Sequence, residues 1–244
     1  MQKSHKDLIY SSPQENVPDF QFDHRVAEVF PDMIQRSIPG YNTIIDGIGY
    51  FSTKFVQPNS NVYDLGCSLG AASLAVRRYN QADNAHIIAI DNSHAMLERC
   101  ALHLSAFKSN MAFTTRCQDI LESEISHASL VIMNFTLQFI KPELRAQLIN
   151  SIYQGLLPGG ALILSEKLKH DTQTGNDLLV DIHHEFKRRN GYSELEISQK
   201  RTAIENVMII DSYAEHENRL KQAGFNDVAM WFKCYNFASM IAIK

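Results

Sequence analysis

From residue 61 onward, short apolar runs alternate with helix-forming stretches, and this alternation limits the folds that the chain can adopt. The apolar runs are NVYDL (61–65), HIIAID (86–91), AFTT (112–115), SLVIMN (129–134) and ALILSE (161–166). Strands that alternate with helices in this way build βαβ units around a parallel sheet. Consecutive Val, Ile and Leu residues also suit strands that are covered on both faces. We therefore predict an α/β fold with a doubly wound, mostly parallel sheet.

The C-terminal end of the sequence departs from this parallel pattern. Residues 227–244 contain two β-rich runs joined around Tyr235-Asn236. A connection this short pairs neighbouring strands in the antiparallel direction. Together with the five preceding strands, this pair predicts a seven-stranded sheet with an antiparallel C-terminal strand. LLPGG at 156–160 predicts a helix end that leads into the fifth strand.

Two further segments are predicted to surround this core. Residues 1–60 form an N-terminal tail and a helical cover of the site, in which Asp23 can cap the first helix. Residues 1–20 are polar and interrupted by proline, so we expect them to be mobile or loosely docked. The polar, helix-prone block at about 167–222 is too long for one crossover helix. We therefore predict a helical insertion near the site, within a main domain that spans 61–244.

Composition and charge argue against several classes of protein. The 23 basic and 27 acidic residues give a formal net charge of −4, whereas proteins that grip nucleic acid through its phosphates are usually basic. We therefore expect no direct binding of nucleic acid. The four cysteines contain no CxxC pair, and a chain of this length needs no disulfides, so we expect reduced thiols and a cytoplasmic location. No apolar stretch suggests a signal peptide or a membrane span.

A glycine-rich turn, DLGCSLG at 64–70, follows the first strand of the main domain. In open α/β sheets, ligands bind beyond the carboxyl ends of the strands. Gly66 would allow the tight turn, and Gly70 would let the next helix pack closely. Ser68 occupies the position at which a dinucleotide site has a glycine that admits a pyrophosphate. The turn therefore favours a ligand other than a dinucleotide, and a lone glycine pattern is weak evidence.

Acidic residues follow the next two strands. Asp91 ends the second strand, where a carboxylate can accept hydrogen bonds from both hydroxyls of a ribose. The alternative is that Asp91 caps the following helix, although Asn92 or Ser93 could do so instead. Asp119 follows the third strand and could accept from an adenine amino group, while Ile120 offers a backbone N–H. For Asp119 a simple turn role is an equal alternative.

These segments together resemble a known superfamily. DLGCSLG, IAIDNS, QDI, VIMNFTLQFI and LLPGGALILSE are similar to the motif series of class I S-adenosylmethionine-dependent methyltransferases. The resemblance covers about 60–244 and implies a Rossmann-like fold that binds S-adenosylmethionine. It also accounts for Ser68, because this ligand has no pyrophosphate to seat. The N/DPPY motif of the methyltransferases that act on nucleobase amino groups is absent after the fourth strand.

Longer blocks resemble one family more closely. DHRVAEVFPDMIQRSIPGY, VYDLGCSLGAASL, NFTLQF and GYSELEISQKR are similar to the carboxy-S-adenosyl-L-methionine synthases, from about residue 22 to the C-terminus. The resemblance implies conversion of S-adenosylmethionine and prephenate to carboxy-S-adenosylmethionine and phenylpyruvate through a sulfonium ylide. The product would supply the carboxymethyl donor for wobble-uridine modification of tRNA by a separate enzyme. It further implies a homodimer, with S-adenosylmethionine as substrate and no metal.

The resemblance also assigns the residues of the site. Arg201 would be catalytic, since its guanidinium can pair with the new carboxylate through two parallel hydrogen bonds. The remaining assignments are Tyr41 at the amino-acid end of the ligand, Gly66, Cys67 and Ser68 along it, Asp91 and Asn92 at the ribose, Asp119 and Ile120 at the adenine, and the carbonyl of Asn134.

Some residues have simpler explanations that stay open at this point. Ser193 and Glu196 predict a capping box, so Arg201–Glu205 and Glu196–Lys200 could be ordinary i,i+4 ion pairs on a helix. His183-His184-Glu185 would spread around a helix rather than converge on a metal, so we expect a solvated or half-buried face. Two other functions also remain: a methyltransferase acting on a small anionic metabolite, and a carrier that binds the ligand without turnover.

Overall fold

The computed structural model of the chain describes residues 6–244 and is built around a seven-stranded sheet. Strand order is β3-β2-β1-β4-β5-β7-β6. Strands β1 to β5 pair in parallel, while β7 runs antiparallel to both of its neighbours. The predicted doubly wound sheet with an antiparallel C-terminal strand is therefore confirmed. The strands are β1 (Asn61–Leu65), β2 (His86–Asp91), β3 (Ala112–Cys117), β4 (Ala128–Asn134), β5 (Leu156–Lys167), β6 (Asp227–Cys234) and β7 (Phe237–Ile243).

Eight α-helices accompany the sheet within residues 6–244. Local sequence signals start several of them. The Asp23 side chain accepts from the backbone N–H of Val26 and caps the first helix, and Ser193 and Glu196 form the predicted capping box. The helices are α1 (His24–Ser37), α2 (Tyr41–Phe55), α3 (Ala71–Tyr79), α4 (His94–Ala106), α5 (Pro142–Gly155), α6 (Gln173–Arg189), α7 (Glu194–Glu205) and α8 (Tyr213–Ala223).

Both faces of the sheet are buried, which explains the uninterrupted apolar runs in its strands. On one face, Val62 of β1 packs in a cluster with Ile44 and Ile48 of α2. On the other face, Leu65 packs in a cluster with Ile149 of α5. Each fully buried aliphatic side chain of this kind contributes about 1.5–3 kcal/mol to folding. The helices on both faces therefore hold the carboxyl ends of the strands in fixed positions.

Strand β5 begins earlier than the sequence indicated. It starts at Leu156, directly after α5, and its pairing with β4 shifts register between Ala128 and Leu130. Gly159 adopts a left-handed φ of 72° inside this irregular start. The proline and glycines of LLPGG therefore do not precede the strand, because the register shift accommodates them within it.

The N-terminal segment packs against α7. Tyr10 and Phe20 are buried, and the side-chain amide of Gln199 donates to the carbonyl oxygens of Tyr10 and Ser12 at 2.9 Å each. The backbone N–H of Phe20 donates to the carbonyl of Ala203. The expectation of a mobile or loosely docked tail is therefore wrong for residues 6–20, and the rest of that prediction falls on residues outside the described range.

The block at 167–222 contains three helices rather than one crossover. Helix α8 packs on α5 and leads into β6, as the crossover to the final pair of strands. Helices α6 and α7 form the insertion, and α6 packs on α1. None of the helices in residues 6–244 combines the length and the apolar character needed to cross a membrane.

Candidate active site

A cavity of about 850 Å³ lies at the carboxyl ends of the parallel strands, beneath α1, α2 and the insertion. This is the location that the topology of open α/β sheets favours for ligands. The structure brings nine of the ten predicted site residues to its lining. They are Tyr41, Gly66, Cys67, Ser68, Asp91, Asn92, Asp119, Ile120 and Asn134.

The glycine-rich turn forms the floor of the cavity and requires its two outer glycines. Gly66 and Gly70 adopt left-handed φ values of 73° and 79°. A Cβ on Gly66 would overlap the side chain of Thr136, and a Cβ on Gly70 would come within 2.7 Å of the Cys100 sulfur. Ser68 is also left-handed, at φ 50°. The turn is therefore held in a conformation that ordinary side chains adopt only at a cost.

Asp91 connects this turn to the second strand. Its carboxylate accepts from the backbone N–H of Ser68 at 2.9 Å and from the backbone N–H of Ser93 at 2.8 Å, one on each oxygen. Ser93 caps α4 by accepting from Met96, so Asp91 is free of the capping role. Burial raises the pKa of Asp91, and the backbone N–H donors oppose this shift. Each oxygen keeps a further lone pair that can accept from a ligand hydroxyl.

A second buried carboxylate lies under the turn. Asp64 is 1% exposed and accepts from the backbone N–H of Ser73 at 3.0 Å and from its hydroxyl at 2.6 Å. Burial raises the pKa of Asp64 to about 6. With Asp91 it makes this part of the cavity electronegative near neutral pH, which suits a cationic ligand.

The third strand and β4 supply further polar groups. Asp119 accepts from the backbone N–H of Leu121 at 2.9 Å and caps a short 3-10 helix, Ile120–Glu122. The alternative role of Asp119 in a turn is therefore observed. The bond to Leu121 uses one carboxylate oxygen of Asp119 and leaves the other unused by that bond. The side-chain oxygen of Asn134 is buried and has no hydrogen-bond donor within residues 6–244. Such an unpaired acceptor costs about 1–3 kcal/mol, so a donor on a ligand would relieve it.

Tyr41 occupies the first position of α2, opposite the turn. Its ring stacks on Phe135, with centroids 6.5 Å apart and an interplanar angle of 29°. Burial raises the pKa of Tyr41 above its usual value, and Asp64 adds to the shift. The phenol therefore stays protonated near neutral pH and can donate a hydrogen bond.

Arg201 is the one predicted site residue that does not line the cavity of this chain. It lies on α7 with its side chain 64% exposed, and its guanidinium is 3.8 Å from Glu205. Its positive charge nevertheless lowers the pKa of Lys167 and of Lys187, both of which line the cavity. The role of Arg201 stays a prediction.

A cationic group on the insertion side of the cavity was missed from the sequence. Lys167 ends β5, and Lys187 and Lys200 come from α6 and α7. Burial lowers the pKa of Lys187 to about 7 and those of Lys167 and Lys200 to about 8. Lys167 could have been identified from the sequence. Ligands bind at the carboxyl ends of parallel strands, and Lys167 ends β5 just as Asp91 ends β2.

His183 stands next to these lysines and corrects another expectation. It is 4% exposed rather than half-buried, and its Nε2 lies 2.8 Å from the carbonyl oxygen of Ser37. A carbonyl can only accept, so Nε2 carries the proton and Nδ1 is unprotonated. Burial lowers the pKa of His183 to about 2. The imidazole is therefore neutral near pH 7 and too weak a base to hold a proton there.

Lys200 is held differently from the other two lysines. Its ammonium donates to the hydroxyl of Ser37 at 3.2 Å and lies 3.7 Å from the carboxylate of Asp7. The Glu196–Lys200 pair expected from the spacing is wrong, because the Glu196 carboxylate accepts from Ser193 in the capping box. Across the part of the chain that the structure describes, no group of three or more His, Cys, Asp or Glu residues is arranged to hold a metal ion.

Comparison with known proteins identifies relatives along almost the whole chain. The carboxy-S-adenosyl-L-methionine synthase of Pseudoalteromonas atlantica is 60% identical over 242 residues, covering 99% of each chain. The protein of that name from Vibrio vulnificus is 57% identical over 242 residues, again covering 99% of each. The one from Actinobacillus pleuropneumoniae is 55% identical over 239 residues, covering 98% of this chain and 99% of the relative. A sequence profile of the methyltransferase domain matches residues 62–160.

Solved structures agree with the fold. The magnesium protoporphyrin IX methyltransferase of Synechocystis, solved with bound S-adenosylhomocysteine, superposes with a TM-score of 0.59 at 17% identity, covering 97% of this chain and 91% of that one. An O-methyltransferase family protein from Burkholderia thailandensis gives a TM-score of 0.66 at 15% identity, covering 91% of this chain and 60% of that one. At these identities the likeness shows the class I methyltransferase fold alone.

Proposed function

Because the chain belongs to the carboxy-S-adenosyl-L-methionine synthase family, we propose that it converts S-adenosylmethionine and prephenate to carboxy-S-adenosylmethionine and phenylpyruvate. The observation that carries this proposal is the division of charge within one cavity. Carboxylates line it at the ends of β1, β2 and β3, while lysines line it at the end of β5 and on the insertion. Such a cavity can hold a cationic sulfonium compound beside an anionic second substrate.

The acidic half suits the nucleoside of S-adenosylmethionine. Asp91 would accept from the ribose hydroxyls through the lone pairs that Ser68 and Ser93 leave unused. Asp119 and the backbone of Ile120 would bind the adenine edge in the same manner as a base pair. The remaining part of the ligand would lie along the glycine-rich turn, with Asp64 supplying negative potential near the sulfonium.

The reaction balances with little acid–base help from the protein. The sulfonium acidifies its methyl group, and loss of one proton leaves an ylide carbon. Prephenate loses carbon dioxide and hydroxide as its ring becomes aromatic, which yields phenylpyruvate. The hydroxide takes the methyl proton to form water, and the ylide carbon attacks carbon dioxide to form the new carboxylate. The protein would contribute proximity and exclusion of water, since carbon dioxide must be captured before it escapes.

Arg201 would stabilise the new carboxylate. In this chain its side chain is largely exposed, so we further propose a homodimer in which α7 contributes to the completed site or lies near the partner's site. The protein would act in the cytoplasm and release carboxy-S-adenosylmethionine to a separate enzyme that modifies a wobble uridine in tRNA. The net charge of −4 is consistent with a protein that does not itself bind tRNA.

A simple incubation separates this proposal from its alternatives. Purified protein is mixed with S-adenosylmethionine and prephenate, and the nucleosides are examined by mass spectrometry. A product heavier than S-adenosylmethionine by one carbon dioxide supports the synthase. Formation of S-adenosylhomocysteine that depends on an added anionic acceptor would instead indicate a methyltransferase. Tight binding of either ligand without conversion would indicate a carrier.

A further inference from the structure

The lysine side of the cavity contains more positive charge than its own residues neutralise. Lys200 has Asp7 as a carboxylate partner at 3.7 Å. For Lys167 and Lys187, burial and neighbouring cations lower the pKa, and no carboxylate contributes. Both side chains are half-buried and line the same cavity. Positive charges that face one cavity without a carboxylate among them repel one another, so the arrangement points to an anion that the site receives.

The position of these lysines separates them from the nucleoside. In the sheet, β1 and β4 lie between β2, which carries Asp91, and β5, which ends at Lys167. Three strand spacings correspond to about 14 Å across the sheet. A nucleoside anchored at Asp91 and Asp119 therefore extends toward the lysines without occupying the space beside them. The lysines face the part of the cavity that remains for a second substrate.

We propose that Lys167 and Lys187, supported by Lys200, form a subsite for the carboxylate that the anionic donor keeps through the reaction. The inference rests on the proposed function, because it concerns how the proposed donor, prephenate, is bound in the cavity. The ligand class is a small dicarboxylate that loses one carboxyl group as carbon dioxide and retains the other. For prephenate, the retained group is the carboxylate of its pyruvyl side chain.

The choice of the retained carboxylate follows from the energetics of decarboxylation. A carboxylate that leaves as carbon dioxide loses its negative charge on the way to the transition state. A cation held against it would stabilise the ground state more than the transition state and would slow the step. A cation held against the retained carboxylate binds both states equally and fixes the donor in place. The departing group is better placed against apolar side chains, of which Phe22, Phe30 and Phe139 line the same cavity.

The variants Lys167→Met and Lys187→Met test the subsite. Each removes a half-buried ammonium group on which no carboxylate acts and keeps a long side chain, so folding should be retained and the melting temperature should not fall. Lys200→Met is combined with Asp7→Asn, because otherwise the buried carboxylate would lose its cationic partner. The matched control is Lys108→Met, since Lys108 is exposed and does not line the cavity.

Two measurements on the full-length protein give the readout. The KM for prephenate should rise about tenfold to a hundredfold in each cavity variant, the range for one charge-assisted hydrogen bond. The dissociation constant of S-adenosylmethionine should change by less than about threefold, because its contacts lie elsewhere. Calorimetry with phenylpyruvate, which has only the retained carboxylate, should show the same loss of affinity as prephenate. Lys108→Met should match the wild type throughout.

Three other patterns overturn the proposal, each in a distinct way. If prephenate binding weakens but phenylpyruvate binding does not, the lysines hold the departing carboxylate. If S-adenosylmethionine weakens by the same factor, they hold its amino-acid end instead. If neither ligand is affected, the lysines have no binding role. Should wild-type protein fail to convert prephenate yet bind phenylpyruvate through these lysines, the proposed function fails while the subsite stands.

Discussion

The carboxylate of Asp91 accepts the backbone N–H of Ser68 at 2.9 Å, and this bond fixes the glycine-rich turn to the end of β2. It joins the two sequence features that first indicated a ligand site, although they lie 23 residues apart. The bond also explains how Ser68 is held in a left-handed conformation, because the acceptor for its N–H is already in place. Asp91 thus shapes the site as well as offering acceptors to a ligand.

Replacing Asp91 should weaken the binding of S-adenosylmethionine. Asp91→Ala removes a charged acceptor for two ribose hydroxyls, and we expect a loss of about 2–4 kcal/mol by calorimetry. Asp91→Asn keeps an acceptor of the same shape for the backbone N–H of Ser68, so it should lose less. Equal affinity in wild type and a folded Asp91→Ala protein would remove the ribose assignment.

The turn itself can be tested with two glycines that share a backbone conformation. Gly66 and Gly159 have φ values of 73° and 72°, but a Cβ would overlap Thr136 at Gly66 and would meet nothing within 4 Å at Gly159. Gly159→Ala should cost about 1–2 kcal/mol in urea unfolding, from the left-handed conformation alone. Gly66→Ala should cost more and should also weaken S-adenosylmethionine binding. Equal costs for the two variants would mean that Thr136 moves aside freely.

Binding of phenylpyruvate should depend on pH through the lysines. Besides burial, the charges of Lys200, Lys167 and Arg201 lower the pKa of Lys187 to about 7 in the empty cavity. A bound carboxylate raises that pKa again, so binding takes up protons. Affinity is therefore full below about pH 7 and falls as the pH rises through 7 to 8, where the empty site loses its charge. His183 and His184 contribute no change there, since their pKa values are lowered further.

Calorimetry of phenylpyruvate between about pH 6 and about pH 9 measures this dependence. Buffers with different ionisation enthalpies would report the proton uptake directly. Lys187→Met should bind weakly at all pH values and show a flatter profile. A wild-type affinity that is constant across this range would show that the lysines are already charged and compensated in the empty protein.

The fold and the meeting of the acidic residues in one cavity could be predicted from the sequence for a common reason. Parallel strands end at one edge of their sheet, so Gly66, Asp91, Asp119 and Asn134, which end or follow four such strands, had to meet there. The proximity of these four residues depends on local strand signals and sheet topology rather than on the packing of distant helices.

The lysine half depends on tertiary packing and was missed for that reason. His183 and Lys187 are one helical turn apart on α6, a spacing that puts them on one face but does not say what the face covers. Only the packing of α6 against α1 turns this face toward the cavity. The i,i+4 spacing suggested Glu196 as a partner for Lys200. In the structure the Glu196 carboxylate instead accepts from Ser193 in the capping box.

The protein should not bind tRNA tightly at physiological salt. Its net charge of −4 gives little basis for the release of counterions that drives such binding. A gel-shift titration should give a dissociation constant weaker than about 1 µM. Tighter binding that weakens steeply with added salt would contradict a role limited to supplying the donor molecule.

Arg201→Ala should distinguish S-adenosylmethionine from its carboxylated product. The two ligands differ by one carboxylate, so loss of the guanidinium should weaken only carboxy-S-adenosylmethionine, by about 2–4 kcal/mol. Lysine at this position should restore part of the loss, because it lacks the forked donor geometry. Arg189→Ala is the matched control, since Arg189 is also exposed and pairs at i,i+4 spacing, with Glu185. If both ligands weaken equally, Arg201 has only a structural role.

The central claim is that the carboxyl carbon of the donor is transferred to the methyl carbon of S-adenosylmethionine within this cavity. The most direct measurement uses prephenate labelled with ¹³C in the ring carboxyl group, in a buffer that contains unlabelled bicarbonate. We expect carboxy-S-adenosylmethionine one mass unit heavier than the product from unlabelled prephenate, together with unlabelled phenylpyruvate. An unlabelled product would show that free carbon dioxide supplies the carboxyl group. Absence of the carboxylated product would contradict the synthase activity itself.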